Sequence, residues 1–229
     1  MSRVPDAEGH MRMTRNQGIA TAAIWLALVA TPALLAAGSR AGAPAGVRIG
    51  TGSVLWIEGS SNIHDWESRT TQMSVQLTRD SSAATPATPV ELEALVREGR
   101  VDGLVLEVPV RALHSKKSGI DKNLWNDLKA EQHPTITFRL QRYSLASRAA
   151  KSDTTELRAE GTLQVAGQER PVSLTGRVHL TDAGLRLDGS HAMRMTEFGI
   201  KPRTMMLGTL RVRDEITVHY QLLLAPKQD

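Results

Sequence analysis

The chain has 229 residues, enough for one large or two small domains, with 28 Lys+Arg against 24 Asp+Glu and a formal charge of +4. The balance is mild and spread along the chain, so it makes no clustered basic face of the kind nucleic acid requires. With four Trp, two Tyr and two Phe there is also no platform for stacking bases. The chain has no cysteine, which excludes disulfides, thiolate metal sites, Cys nucleophiles and thioether lipidation.

Residues 1–43 read as a leader. Arg12 and Arg15 precede the apolar run 19–30, which is followed by Pro32 and by small residues up to Ala43. A basic start, an apolar middle and a small-residue end describe a secretory signal peptide, with cleavage after Ala37 or Ala43. The run is about a dozen residues, short for a membrane anchor, which needs about 20. Residues 38–50 are rich in Gly, Ala and Pro, so 44–51 are expected as a flexible lead-in, and 52–226 as the folded domain.

The domain opens on an apolar run, Val54-Leu55-Trp56-Ile57. A corner, Gly59-Ser60-Ser61-Asn62-Ile63-His64-Asp65-Trp66, follows it. Ser, Asn and Asp are turn formers whose side chains bond nearby backbone. From there the pattern is mostly of period two, as in half-buried strands. Strands are expected near 53–59, 72–78, 102–109, 135–142, 156–166, 171–180, 184–196 and 214–224. Between them, 81–89 is a loop by composition, 90–97 a short helix, and 121–128 a second helix with Leu124, Trp125 and Leu128 on one side and Asp121 as N-cap. Ala166-Gly167-Gln168-Glu169 and 181–184 read as hairpin turns. The fold expected is all-β with one or two short helices: an eight-stranded antiparallel β-barrel, with a two-sheet sandwich as the rival. Closure removes exposed edges and leaves room for a small ligand.

The chemistry-bearing residues are few. Adjacent strand residues point to opposite faces, so His64-Asp65 is not preset as a base and its orienter, and there is no Gly-x-Ser-x-Gly elbow. No His-x-x-x-His or His-x-His spacing exists, so no metal is expected. His179 and His219 fall on polar faces, whereas His191 shares a face with Leu187, Met193 and Met195 and points inward. Met193, Met195, Met205 and Met206 cluster around Phe198, and flexible thioethers suit an irregular apolar ligand.

Four stretches together resemble the YceI-like family: the opening strand with Ser61-Asn-Ile-His-Asp-Trp66; Leu104–Leu113 followed by a helix and His133-Pro-Thr-Ile-Thr-Phe138; the hairpin Ala159–Val172; and Phe198-Gly-Ile200 before a last strand at Arg213–Ile216. The resemblance implies a lipocalin-like barrel, usually exported to the bacterial periplasm, that holds an isoprenoid or quinone-like lipid and has no catalytic machinery. No other cofactor is expected. Departures are the long 79–100 stretch and the few interior aromatics. On this reading Trp66, Phe138, Met193, Met195 and Phe198 contact the lipid. Ser61, Asn62 or His64 binds its head group, and Trp125 and His191 complete the wall. The partners implied are an apolar lipid, a membrane in transient contact, and a second copy in a homodimer. The rival functions are a barrel filled by its own side chains that binds a protein partner, and an enzyme using His64 and Asp65.

Overall fold

The structure, a computed structural model, describes residues 42–146 and 154–227. The predicted signal peptide falls on residues outside these apart from Gly42 and Ala43 at its later expected end, and the side chains of Met205 and Met206 also lie outside them. In chain order the strands are β1 (Ala43–Pro44), β2 (Val47–Ile49), β3 (Val54–Ser61), β4 (Asp65–Thr70) and β5 (Ser74–Arg79). Helix α1 (Pro89–Arg97), β6 (Val101–Pro109) and helix α2 (Ser118–Asp127) follow. The remainder is β7 (Thr135–Leu145), β8 (Thr154–Val165), β9 (Gln168–Thr181), β10 (Gly184–Arg194), β11 (Thr204–Met205) and β12 (Leu210–Pro226).

These strands form one continuous antiparallel sheet, not two stacked ones. Its order is β5-β6-β7-β8-β9-β10-β12-β3-β4, with β1 on β5 and β2 on β12. The sheet curls into a barrel-like wall because each strand carries apolar residues on alternate positions, and only curling puts all those faces on one interior. The sheet has twelve strands where the sequence pattern gives eight. The additions are β4 and the very short β1, β2 and β11.

Residues 44–51 do not behave as a flexible lead-in. Ala45 and Val47 are among the most buried residues, and the segment laces β5 to β12. The Ala45 N–H donates to Leu77 O (2.9 Å), and the Lys227 N–H donates to Gly46 O (2.6 Å). A glycine read as slack lets the backbone pack this closely, since a Cβ on Gly50 would come within 2.7 Å of Leu223 Cδ2.

The β8–β9 turn sits at the predicted place. Ala166 and Gly167 have φ of 50° and 81°, the positive pair that a two-residue hairpin demands. The β9–β10 hairpin is zipped only as far as Gly176–Gly189. Beyond it β9 pairs with β8 alone and β10 with β12 alone. Pro171, which has no N–H to donate, lies in this one-sided stretch, where a strand tolerates it.

The two helices close the ends. Helix α1 starts at a capping box, with Thr88 Oγ1 accepting the Glu91 N–H and the Glu91 carboxylate accepting the Thr88 N–H. Its Leu92 and Leu95 are buried in a cluster with Val47, Leu77, Val178, Leu185 and Leu224. At the other end, Leu128, the C-cap of α2, packs with Leu113, Val165, Phe198 and Ile200. Asp121 is not the N-cap, because α2 begins three residues earlier, after Lys117. The Asp121 carboxylate instead accepts the Ser115 N–H and hydroxyl (2.6 Å each) and contacts His114 Nδ1 (3.2 Å), pinning the loop before the helix. Burial pushes its pKa up, but these bonds outweigh burial and hold it below the ordinary value.

Candidate ligand cavity

The interior is not filled. Between the two apolar ends lies a cavity of about 400 Å³, within the range of small-molecule sites. Its wall is built from alternate residues of nine strands, among them Leu104 and Leu106 of β6, Leu163 of β8, Leu187 of β10 and Val218 of β12. Several of these leucines face inward yet remain only half-buried, since they border empty space rather than other side chains. The lining residues that are exposed are His64, Lys117 and Lys201. They mark the mouth, formed by the β3–β4 corner, α2 and the stretch after Phe198.

Large aromatics lie flat on glycines in this wall. A Cβ on Gly59 would come within 2.2 Å of Trp66 Cζ2, one on Gly161 within 2.9 Å of Phe138 Cε2, and one on Gly189 within 2.4 Å of Tyr220 Oη. The inward glycines thus seat rings against the strands, and the centre of the barrel stays open. Tyr220 Oη also donates to Thr175 O (3.0 Å) across the unzipped β9–β10 fork.

The corner is a knot followed by a strand. Ser61 Oγ accepts the N–H groups of Ile63 (3.2 Å) and His64 (3.1 Å) and donates to His64 O (2.8 Å). The His64 ring lies on its neighbour's backbone, with Nδ1 3.1 Å from Asp65 O. The hydroxyl is committed to backbone, so Ser61 is not set up as a nucleophile on His64. Asp65–Thr70 is β4, whose inward residues are Trp66, Ser68 and Thr70. The Trp66 indole N–H is buried and has no acceptor among the described residues. Orphaned buried donors are rare and call for a reason.

Of the ten residues singled out from sequence, eight line the cavity: Ser61, His64, Trp66, Phe138, His191, Met193, Met195 and Phe198. Asn62 and Trp125 do not. Asn62 uses both ends of its amide on the neighbouring strand, donating to Thr209 O (2.7 Å) and accepting the Arg211 N–H (2.7 Å). Trp125 lies about a quarter turn round α2 from the cavity-facing Ile120, Leu124 and Leu128. Its N–H donates to Leu113 O (3.0 Å), and its ring meets His114 edge-on under Arg111. Burial holds the pKa of His191 below its ordinary value, against a smaller opposing pull from Glu197, so the imidazole is neutral at neutral pH. Sequence reasoning did not pick out Lys117, Asn123, Asp127, Lys201 and Arg203, the polar rim. Within it Arg203 Nε donates to Asp127 Oδ2 (2.6 Å) and ties the last loop to α2. His219, on the outer face, stacks on Trp56 (4.8 Å) and bonds Glu58 (3.1 Å). Among the described residues no group of three His, Asp or Glu is placed to hold a metal.

Comparison with known proteins decides the family, because the model of the YceI-like domain matches residues 52–224. The chain belongs to the YceI-like family. No curated protein sequence matches it. Among solved structures, a polyisoprenoid-binding domain from Saccharophagus degradans implicated in plant cell wall breakdown is similar, with a TM-score of 0.58 and 10% identity over 79% of this chain and 98% of that one. BcnA of Burkholderia cenocepacia has a TM-score of 0.53 and 17% identity over 76% of this chain and 95% of that one. At these identities the likeness is one of fold. Among the described residues of this YceI-like chain no helix is long and apolar enough to cross a membrane.

Proposed function

We propose that this YceI-like protein binds rather than catalyses, holding an isoprenoid or similar apolar lipid in its barrel cavity. The observation that carries the reading is the open apolar cavity of about 400 Å³ with its polar groups gathered at one mouth. Each buried methylene contributes about 0.8 kcal/mol. Ten of them give on the order of 8 kcal/mol, in the micromolar range before the costs of association. Phe138, Met193, Met195 and Phe198 then contact the chain. Trp66, through its unpartnered N–H, donates to an oxygen on the head group, with Ser61, His64 and the neutral His191 as the other polar neighbours. Export to the periplasm, supported by the basic, apolar and small-residue order of 12–43, belongs to the same proposal.

The test is native mass spectrometry and solvent extraction of protein purified from its own host. Recovery of a stoichiometric lipid is expected. Repeated recovery with the cavity empty, under conditions that retain lipid in a known carrier, would sink the reading.

A further inference from the structure

Two large apolar side chains stand in solvent beside the cavity mouth. Leu207 is fully exposed and Ile63 is 58% exposed. Leu207 also has φ of 54° and ψ of 32°, a left-handed conformation that a side chain of its type rarely adopts. In the sequence it follows Met205-Met206. A left-handed backbone is unfavourable for leucine, and among the described residues no buried contact of its side chain offsets it.

The two tips are held side by side. The Asn62 N–H donates to Arg211 O (3.1 Å), and the Asn62 amide bonds Thr209 O and the Arg211 N–H. Arg211 Nε in turn donates to Gly208 O (3.2 Å), closing the turn that carries Leu207. His64, next to Ile63, and Leu210, just beyond Leu207, both line the cavity, so the tips are part of its rim.

This end is also where the charge lies. Residues 115–129 hold four lysines and two aspartates, 199–213 one lysine and three arginines with no acid, and 61–66 one aspartate. Their net is +5; Arg194, Glu197, Asp214 and Glu215, just outside these stretches, bring this end to +3 of the chain's +4. Two exposed apolar tips set in a basic rim match the surface of an anionic bilayer, apolar below and negative above.

We propose that the rim docks on an anionic membrane, with Ile63 and Leu207 entering the headgroup region and the lysines and arginines meeting lipid phosphates, so that the mouth faces the lipid. The purpose assigned to docking rests on the cavity being a lipid site. The docking itself is read independently of what the cavity holds.

The absence of cysteine makes a clean test available in the full chain. Leu207→Cys, Ile63→Cys and, at the far β9–β10 turn, Asp182→Cys each carry one environment-sensitive fluorophore. Vesicles of phosphatidylcholine with a minority of phosphatidylglycerol should shift the emission at 207 and 63 to the blue and leave 182 unchanged. Binding driven by the N-terminal segment would not produce that pattern. Leu207→Ser and Ile63→Ser should each weaken binding about tenfold, as expected for re-exposing one such side chain. Raising salt to about 1 M, where the Debye length is about 3 Å, should weaken it further, and so should vesicles of phosphatidylcholine alone. No shift at 207 and 63, an equal shift at 182, or serine variants that bind like the parent overturns the proposal. So does self-association that Leu207→Ser abolishes in the absence of vesicle binding, which assigns the tip to a second copy. A protein that docks yet yields no lipid on extraction keeps this inference and loses the carrier reading. A protein that yields lipid without docking does the reverse.

Discussion

Gly59→Ala is the sharpest test of how the corner is built. A Cβ at Gly59 lands 2.2 Å from Trp66 Cζ2 and 2.5 Å from Cε2, far inside contact distance, so the indole must leave its seat on β3. The ring is half-buried and can only tilt into the cavity or toward the mouth, and overpacking of this kind costs about 1–3 kcal/mol. For a domain of this size each kcal/mol moves the midpoint by about 2–4 °C, so a fall of roughly 2–12 °C is expected in thermal unfolding followed by circular dichroism. Intrinsic tryptophan emission should move at the same time. The attribution is checked by a double-mutant cycle. Once Trp66→Ala has removed the ring, adding Gly59→Ala should cost less than about 0.5 kcal/mol. If Gly59→Ala is as stable as the parent, or if the two changes simply add, the ring is not held by that glycine and the reasoning fails.

Three other outcomes follow from the same geometry. Trp66→Phe keeps a flat ring on Gly59 but removes the orphaned N–H. Affinity for a lipid with an oxygen-bearing head should fall about fivefold in a titration, the worth of one ordinary hydrogen bond, while affinity for a head-less hydrocarbon should not change. His191 has its pKa lowered by burial, so below about pH 6.5 the unfolded chain takes up a proton that the folded one resists. Stability should therefore fall as pH drops below that value and should owe nothing to this group above it; denaturant midpoints across pH should flatten in His191→Gln. Asn62→Ala removes both side-chain bonds to residues 209–211, so amide exchange at Arg211 should accelerate while global stability drops by less than about 2 kcal/mol.

The strands that alternate apolar with polar were legible from sequence, because one face of each meets the interior. β4 was not, since its inward positions after Trp66 are Ser68 and Thr70, which break the apolar rhythm although both are buried. β1 and β2 hid behind a composition that reads as linker. Asn62 and Trp125 carry the right chemistry for a site, but register sends one amide to its neighbour strand and helical phase turns the indole aside. The pairing of Trp66 with Gly59, Phe138 with Gly161 and Tyr220 with Gly189 is set by which strands lie side by side. The cavity depends on those pairings, since the same rings standing upright would occupy it. The rim was missed for a different reason: Lys201 and Arg203 look like ordinary loop charges until the fold brings them to α2.

β12 is the longest strand among the described residues, and it lies inside the sheet. It pairs with β10 on one side, with β3 on the other, and with β2 and β11 at its ends. Until it arrives, the rest of the sheet is two separate pieces, a β3–β4 hairpin and a ribbon from β5 to β10, each with bare edges. β12 joins these two pieces, so the apolar wall becomes continuous only when its seventeen residues pair on both sides. A chain stopped short within them is left with open strand edges that template aggregation. A sheet from which β12 is cut away bares the facing edges of β10 and β3 at once.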